Sequence, residues 1–320
     1  MKAAVILTHK YLDEAVTLLK DRFHLIEVEG SGRSLADLLR EHPQTPALIS
    51  FLSDPIDRHI IDLGGNLKII ANYAVGYNNI DIDYAIEKGI YVTHTPDVLT
   101  EATADLTMAL ILTVCRRIVE ADAFTRQGRF TGWQAGLMLG KELKGSTLGI
   151  VGMGRIGLAA ARRALGFGLK VIYYSTPRRP ELEKEYGFEF VEFDELVKRS
   201  DIVSLHIPYS PEVHHLFNRR VFDLMKPDAV FINAARGPLM DEAYLAEKLE
   251  KHELFGAGLD VYEFEPRVTE KLKQLNNAVL VPHIGSATHY ARLEMAMMTI
   301  RSVTQALSGQ KPDHLIPEWP

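Results

Sequence analysis

The sequence predicts an α/β protein built from two doubly wound parallel sheets. Three observations carry that expectation. Short β-branched or aliphatic runs alternate with amphipathic stretches along most of the chain, the pattern of repeated βαβ units. A glycine-rich turn, LGIVGMGRIG at 148–157, lies mid-chain between an apolar run and a helical pattern. Two long helical patterns, 100 to about 125 and 287–307, bracket the strand series to which this turn belongs.

In the N-terminal third, strands are expected at 3–7, 47–51, 67–71 and 91–93, with amphipathic helices over 12–20 and 80–88. The second series comprises 147–151, 170–174, 202–206, 229–233, 255–259 and 279–282. Six strands with a glycine turn after the first make a full dinucleotide-binding sheet of the Rossmann type. The bracketing helices read as crossovers between domains. Residues 100–286 then form an NAD(P)-binding Rossmann-like domain, inserted into a flavodoxin-like substrate domain made of residues 1–99 and 287–320.

Composition narrows the function classes. The 320 residues are 47% hydrophobic and 24% charged, enough for two globular cores. A net charge of −6 without blocks of like charge argues against nucleic-acid or membrane-surface partners. The apolar run 106–115 ends at Arg116 and Arg117, well short of the roughly 20 residues that a membrane span requires. The start, MKAAVILTHK, has no leader cleavage site and reads as a first strand, so a cytoplasmic location is expected. The single cysteine, Cys115, excludes an internal disulfide framework and a cysteine-based metal cluster; in its apolar context it reads as a small core residue.

Within the turn, Gly152 permits the tight bend, Gly154 lets the backbone approach a pyrophosphate, and Gly157 lets helix and strand pack closely. The following helix N-terminus offers free N–H groups to phosphate. Eighteen residues beyond Gly157 stands Ser175, where an NAD site carries Asp or Glu, followed by Arg178 and Arg179. A carboxylate there would repel a ribose 2′-phosphate, whereas serine accommodates either cofactor and the planar arginine fork matches phosphate oxygens. NADPH is therefore the expected cofactor, with NADH also admitted. The plainer reading of the two arginines is a pair of solvated loop charges.

Three later segments put reactive groups just past strands, where open α/β sheets bind ligands. NAARGPLMDE supplies Arg236, GLDVYEFEP supplies Asp260 and Glu265, and VPHIGSAT supplies His283. Together they suffice for carbonyl reduction. Arg236 can pair with a substrate carboxylate and polarise the carbonyl, His283 can protonate the new alkoxide, and Glu265 can hold the histidine in its charged form. The cofactor carries the hydride. Each residue alone has a bland alternative, and among the 12 histidines His206, His214, His215 and His289 read as ordinary surface or core residues. No His/Asp/Glu spacing suggests a metal, and no G-x-S-x-G turn is present.

These motifs, with ANYAVGYNNIDID and TPDVLTEATADLTMALIL upstream, run in the order of one family. The chain resembles the D-2-hydroxyacid dehydrogenases over nearly its whole length, and most of all their glyoxylate and hydroxypyruvate reductases. That resemblance implies Arg236, Glu265 and His283 as the catalytic set, with Asp260 near the nicotinamide. It implies substrate carboxylate binding by the backbone of Val75 and Gly76, and a pocket lined by Leu52 and Tyr73. Further implied cofactor contacts are Thr103, Arg155, Ile156, Pro208, Ser210, Ala235 and Gly285. A homodimer packed through the cofactor domain and the segment around 126–139 is also implied. Trp133 in that segment either reaches a neighbouring pocket or is a plain loop tryptophan. Ser175 departs from the NAD-using pattern, and Asp105 stands where many relatives carry Glu.

The expected reaction is NADPH-dependent reduction of glyoxylate or hydroxypyruvate to the D-2-hydroxy acid, glycolate or D-glycerate, chemically reversible. A reductase of a larger sugar acid such as 2-ketogluconate is the nearest alternative. Formate dehydrogenase fits less well, because that relative carries an amide where this chain has Glu265. A cofactor-gated, corepressor-like binding protein is a remoter alternative, disfavoured by the lack of a recruitment extension.

Overall fold

The computed structural model describes residues 2–320. They fall into two compact units, one made of the chain up to Leu99 together with Ala287–Pro320, the other of Thr100–Ser286.

The first unit holds five strands: β1 (Ala4–Leu7), β2 (His24–Glu27), β3 (Ala47–Ser50), β4 (Ile69–Asn72) and β5 (Tyr91–Thr93). All pair in parallel, in the order β2-β1-β3-β4-β5, which is the flavodoxin-like order. Strands β3 and β4 are buried at every position, as expected of a sheet covered on both faces. The strand that the sequence pattern does not reveal is β2. Its segment HLIE is only partly buried and pairs with β1 alone, so it lacks the apolar run that marks the central strands. Ile6, Leu48, Ile70 and Val92 pack with Leu39 and Ile61 in one core cluster. The C-terminal helix His289–Leu307 lies against β3, β4 and β5. It begins at Thr288, whose side chain accepts the N–H of Ala291 at 3.2 Å.

The second unit holds β6 (Thr147–Val151), β7 (Lys170–Tyr174), β8 (Glu189–Phe190), β9 (Ile202–Leu205), β10 (Val230–Asn233), β11 (Gly256–Leu259) and β12 (Ala278–Leu280). Their order, β12-β11-β10-β9-β6-β7-β8, is the Rossmann order lengthened by one strand. Two residues long, β8 is too short to show in a periodicity, so the sheet has seven strands rather than the six expected. Chain order reverses between β6 and β9, the switch point at which such sheets bind ligands. One face is filled by Phe217, Phe222 and Phe231, all fully buried, with ring centroids 5.1–5.6 Å apart. Such pairs contribute about 0.5–1.5 kcal/mol beyond their buried area.

The single long helix expected from residue 100 to about 125 is two helices, Thr100–Cys115 and Ile118–Arg126. Arg117 between them is left-handed, with φ of 53°. Tertiary contacts explain the break. The carbonyl of Cys115 accepts the N–H of Lys141 at 2.8 Å. The Arg117 guanidinium grips Glu120 through two bonds of 2.9 and 2.8 Å, which anchors the first turn of the second helix. Among the described residues no helix is long and apolar enough to cross a membrane.

Candidate active site

The glycine turn follows β6 directly, and its backbone demands glycine. Gly152 has φ of 99°, and a Cβ there would lie 2.6 Å from the carbonyl of His206; at Gly157 a Cβ would lie 2.1 Å from the carbonyl of Gly152. Neither obstacle can move, because both are backbone. Gly154 is different, since a Cβ there would meet nothing within 4 Å. It caps the helix Arg155–Gly166 without a side-chain bond to the first turn, which leaves an open approach to free N–H groups. A nicotinamide dinucleotide fits this cradle on both counts. Arg155 is exposed and Ile156 half-buried in the first turn of the helix.

Ser175 follows β7 and is half-buried. The two arginines after it are not equivalent. Arg178 is committed to Glu183 through bonds of 2.8 and 2.7 Å and lies over the Phe190 ring. That hydrogen-bonded guanidinium holds the Glu183 carboxyl down at about 2, against a smaller opposing effect of burial. Arg179 pairs with Glu181 and turns toward the glycine loop, with Nη1 3.5 Å from the carbonyl of Met153. Met153 lies between Gly152 and Gly154, so Arg179 flanks the cradle itself.

The strand-end residues assemble around His283. Its Nδ1 lies 2.9 Å from Oε2 of Glu265, and its backbone N–H donates to the carbonyl of Asp260 at 2.9 Å. Among the described residues Nε2 has no hydrogen-bond partner, which leaves that nitrogen for a ligand. The histidine is left-handed, with φ of 52°, a conformation uncommon in non-glycine residues and concentrated at functional sites. Burial pushes the Glu265 carboxyl up. The His283 bond and charge, the Tyr262 N–H at 3.0 Å and the charge of Arg236 outweigh it and hold the group below the usual carboxylate range. Burial lowers the guanidinium of Arg236, opposed by the charge of Glu265. Asp260 is buried and its carboxyl raised by that burial, although it accepts the N–H groups of Ile284 and Gly285 at 2.6 and 2.8 Å. It thereby ties the loop after β11 to the segment carrying His283.

Other expected positions are distributed around this frame. Thr103 is buried and donates to the carbonyl of Gly285 at 3.2 Å. Pro208 is exposed and Ser210 half-buried in the segment after β9, and Ala235 is half-buried beside Arg236. Trp133 is 86% exposed. Asp105 pairs with Arg163 at 2.7 Å, on the helix that begins at the glycine turn.

In the first unit, the loop after β4 carries Tyr73, Val75 and Gly76, and Leu52 lies in the loop after β3. Carbonyl groups in this loop are pinned: that of Gly76 accepts from Asn72 Nδ2, and that of Val75 lies against His94 Nδ1, both at 2.9 Å. The N–H groups of Val75 and Gly76 make no backbone bond among the described residues, which leaves two adjacent donors for an anion. Tyr73 is buried, packed in tilted contact with the rings of Tyr11 and Phe51, and donates to the carbonyl of Arg292 at 2.7 Å. Burial raises its hydroxyl to about 12, against the opposing charge of Arg292.

Three residues here escaped the sequence reading. Asn72 and Asn233 each end an apolar strand and are fully buried. Asn233 accepts the N–H of Ala235 at 3.0 Å and donates to the carbonyl of Arg236 at 2.8 Å, which sets the loop that carries the arginine. An asparagine closing a strand run is the signal of such an Asx turn. Arg292 has a buried Nε without a hydrogen-bond partner, and no local pattern marks it. His214 and His215, read as ordinary residues, also come together with Glu263.

Residues 108–285 match the family described as D-isomer specific 2-hydroxyacid dehydrogenase, NAD binding domain. The chain is 46% identical to a glyoxylate reductase of Thermococcus litoralis, over 99% of this chain and 97% of that one. It superposes on an NADPH-dependent glyoxylate/hydroxypyruvate reductase from Sinorhizobium meliloti, solved with NADP and malonate, with a TM-score of 0.91 at 30% identity, covering 100% of this chain and 98% of that one. A D-lactate dehydrogenase from Aquifex aeolicus, complexed with NAD and lactic acid, gives a TM-score of 0.88 at 30% identity and 98% coverage of both chains.

Proposed function

The chain belongs to the D-isomer specific 2-hydroxyacid dehydrogenase family and is a nicotinamide-dependent enzyme of 2-oxo acids, and from that premise we propose that it reduces glyoxylate or hydroxypyruvate with NADPH. The products are glycolate or D-glycerate. The observation that carries this reading is the His283–Glu265 pair, with Nδ1 engaged at 2.9 Å and Nε2 left for substrate. Arg236 pairs with the substrate carboxylate and draws electron density from the carbonyl. A reduced nicotinamide held at the turn of Gly152, Gly154 and Gly157 would supply the hydride to the carbonyl carbon. His283 gives its Nε2 proton to the carbonyl oxygen, and Glu265 stabilises the imidazolium before that transfer. The reverse oxidation uses the same groups with the histidine as base.

On the first unit, we assign the N–H groups of Val75 and Gly76 to the substrate carboxylate and Leu52 and Tyr73 to the pocket wall. The charge of Arg292 beside Tyr73 favours an anionic substrate there. Gly152, Gly154, Arg155, Ile156 and Gly157 hold the pyrophosphate, with Thr103, Pro208, Ser210, Ala235, Asp260 and Gly285 as further cofactor contacts. Preference for NADPH rests on Ser175 in place of a carboxylate and on Arg179 beside the cradle. Arg178 contributes less, being held by Glu183. A homodimer buries the apolar side chains that stand exposed on Ile118, Val119, Phe130, Trp133 and Leu139.

Initial rates with glyoxylate, hydroxypyruvate, pyruvate and 2-ketogluconate, each with NADPH and NADH, test substrate and cofactor together. The two small substrates with NADPH should give the highest kcat/KM. A higher value for 2-ketogluconate would overturn the substrate assignment, and an equal or reversed NADPH/NADH ratio the cofactor assignment. Light scattering in solution tests the dimer.

A further inference from the structure

Away from the catalytic set, one side-chain cluster has the composition and spacing of a metal site. His214 and His215 follow the short 3-10 turn Pro211–Val213, and Glu263 lies in the loop after β11. Neighbouring side chains in extended backbone point to opposite sides. His215 escapes that constraint through a left-handed φ of 49°, and the two imidazoles stack, with centroids 4.1 Å apart at 18°. Nε2 of His215 lies 2.7 Å from Oε1 of Glu263, and one ligand atom from each of the three residues falls within 4.8 Å of the others. His214 is exposed, which leaves a solvent side.

From this arrangement we infer that His214, His215 and Glu263 bind one divalent late first-row cation of the Zn2+ class, with water completing the shell. Two imidazoles and one carboxylate suit zinc, nickel or copper, whereas magnesium and calcium take oxygen ligands. Metal–ligand bonds of about 2.0–2.2 Å in a tetrahedron set ligand atoms roughly 3.4 Å apart. To reach it, the 2.7 Å contact between His215 and Glu263 opens to admit the ion, and the His214 ring turns out of its stack to aim its lone pair at the same point. Glu263 is already oriented by a support outside the cluster: its backbone N–H donates to Oε2 of Glu242 at 2.7 Å. The cation ties the segment after β9 to the loop after β11, which also carries Asp260 and Glu265.

A plain His215–Glu263 ion pair would produce the same 2.7 Å contact without any need for His214. Calorimetric titration of chelator-treated enzyme with Zn2+, and absorption spectra with Co2+, separate the two. One Zn2+ per chain is expected, with Mg2+ not binding. His214→Ala, which leaves the ion pair intact, and Glu263→Gln should each weaken Zn2+ binding at least about tenfold. His289→Ala, removing an exposed histidine paired with Glu14, should leave it unchanged. Affinity should fall on acidification as protons compete for the imidazoles. Absence of saturable Zn2+ binding, or equal binding by His214→Ala, would overturn the site. Binding lost in His283→Ala but kept in His214→Ala would overturn it too, by assigning the cation to the catalytic pair. None of these readouts depends on which 2-oxo acid is reduced.

Discussion

Glutamine at position 265 keeps the shape of the side chain that holds His283 and removes its charge. In the native protein Oε2 of Glu265 lies 2.9 Å from Nδ1 of His283, while Oε1 accepts the N–H of Tyr262 at 3.0 Å. A hydrogen bond to a charged group contributes about 1.5–3 kcal/mol. The two side chains remain 25% and 30% exposed, which puts this pair at the lower end of that range. Since about 1.4 kcal/mol corresponds to a factor of ten, losing that bond should slow the proton-transfer step about tenfold. Reduction uses the histidine as acid, so Glu265→Gln should lower kcat about tenfold and leave NADPH affinity unchanged. The assay is the initial rate of NADPH oxidation with glyoxylate, beside a nucleotide titration of the variant. An unchanged kcat would refute the electrostatic argument and leave Glu265 a purely geometric support.

Arg179→Gln should lower kcat/KM about tenfold with NADPH and little with NADH, the loss of one charge-assisted contact; equal losses with both would remove Arg179 from cofactor selection. His206 bonds Ser204 through Nε2, its Nδ1 is buried without a partner, and burial lowers its pKa from 6.5 to about 4. The unfolded chain therefore takes up that proton first, so stability should fall as pH drops from 6.5 toward 4, by at most about 3 kcal/mol from this residue. Urea unfolding at several pH values checks this, and an unchanged slope in His206→Gln would contradict it. Gly157→Ala puts a Cβ 2.1 Å from the carbonyl of Gly152 and should cost about 1–3 kcal/mol together with cofactor affinity, measured by thermal unfolding and nucleotide titration. Unaltered NADPH binding by that variant would show that the turn is not the cradle.

Both parallel sheets were legible in the chain, because central parallel strands are buried on both faces and read as unbroken apolar runs. Strands β2 and β8 were not, the first half-exposed at an edge and the second only two residues long. The break at Arg117 was hidden for another reason: it follows from the carbonyl of Cys115 bonding Lys141, a contact outside any local window. At the site, Arg236, Glu265 and His283 could each be picked out as polar groups following apolar strands. Their separations could not, and neither could the supports that Asn233 and Asp260 provide.

What the sequence by itself determined is the kind of backbone this protein builds and the glycine turn within it, because periodicity and steric permission are local properties of the chain. Only the tertiary structure decided which charges are spoken for. It bound Arg178 to Glu183 and Arg179 to Glu181, set only Arg179 beside the glycine loop, and brought His214 and His215 to Glu263 from a different loop. Electrostatic partners are chosen by distance in space, and residues far apart in sequence acquire that distance only when the strands between them have paired.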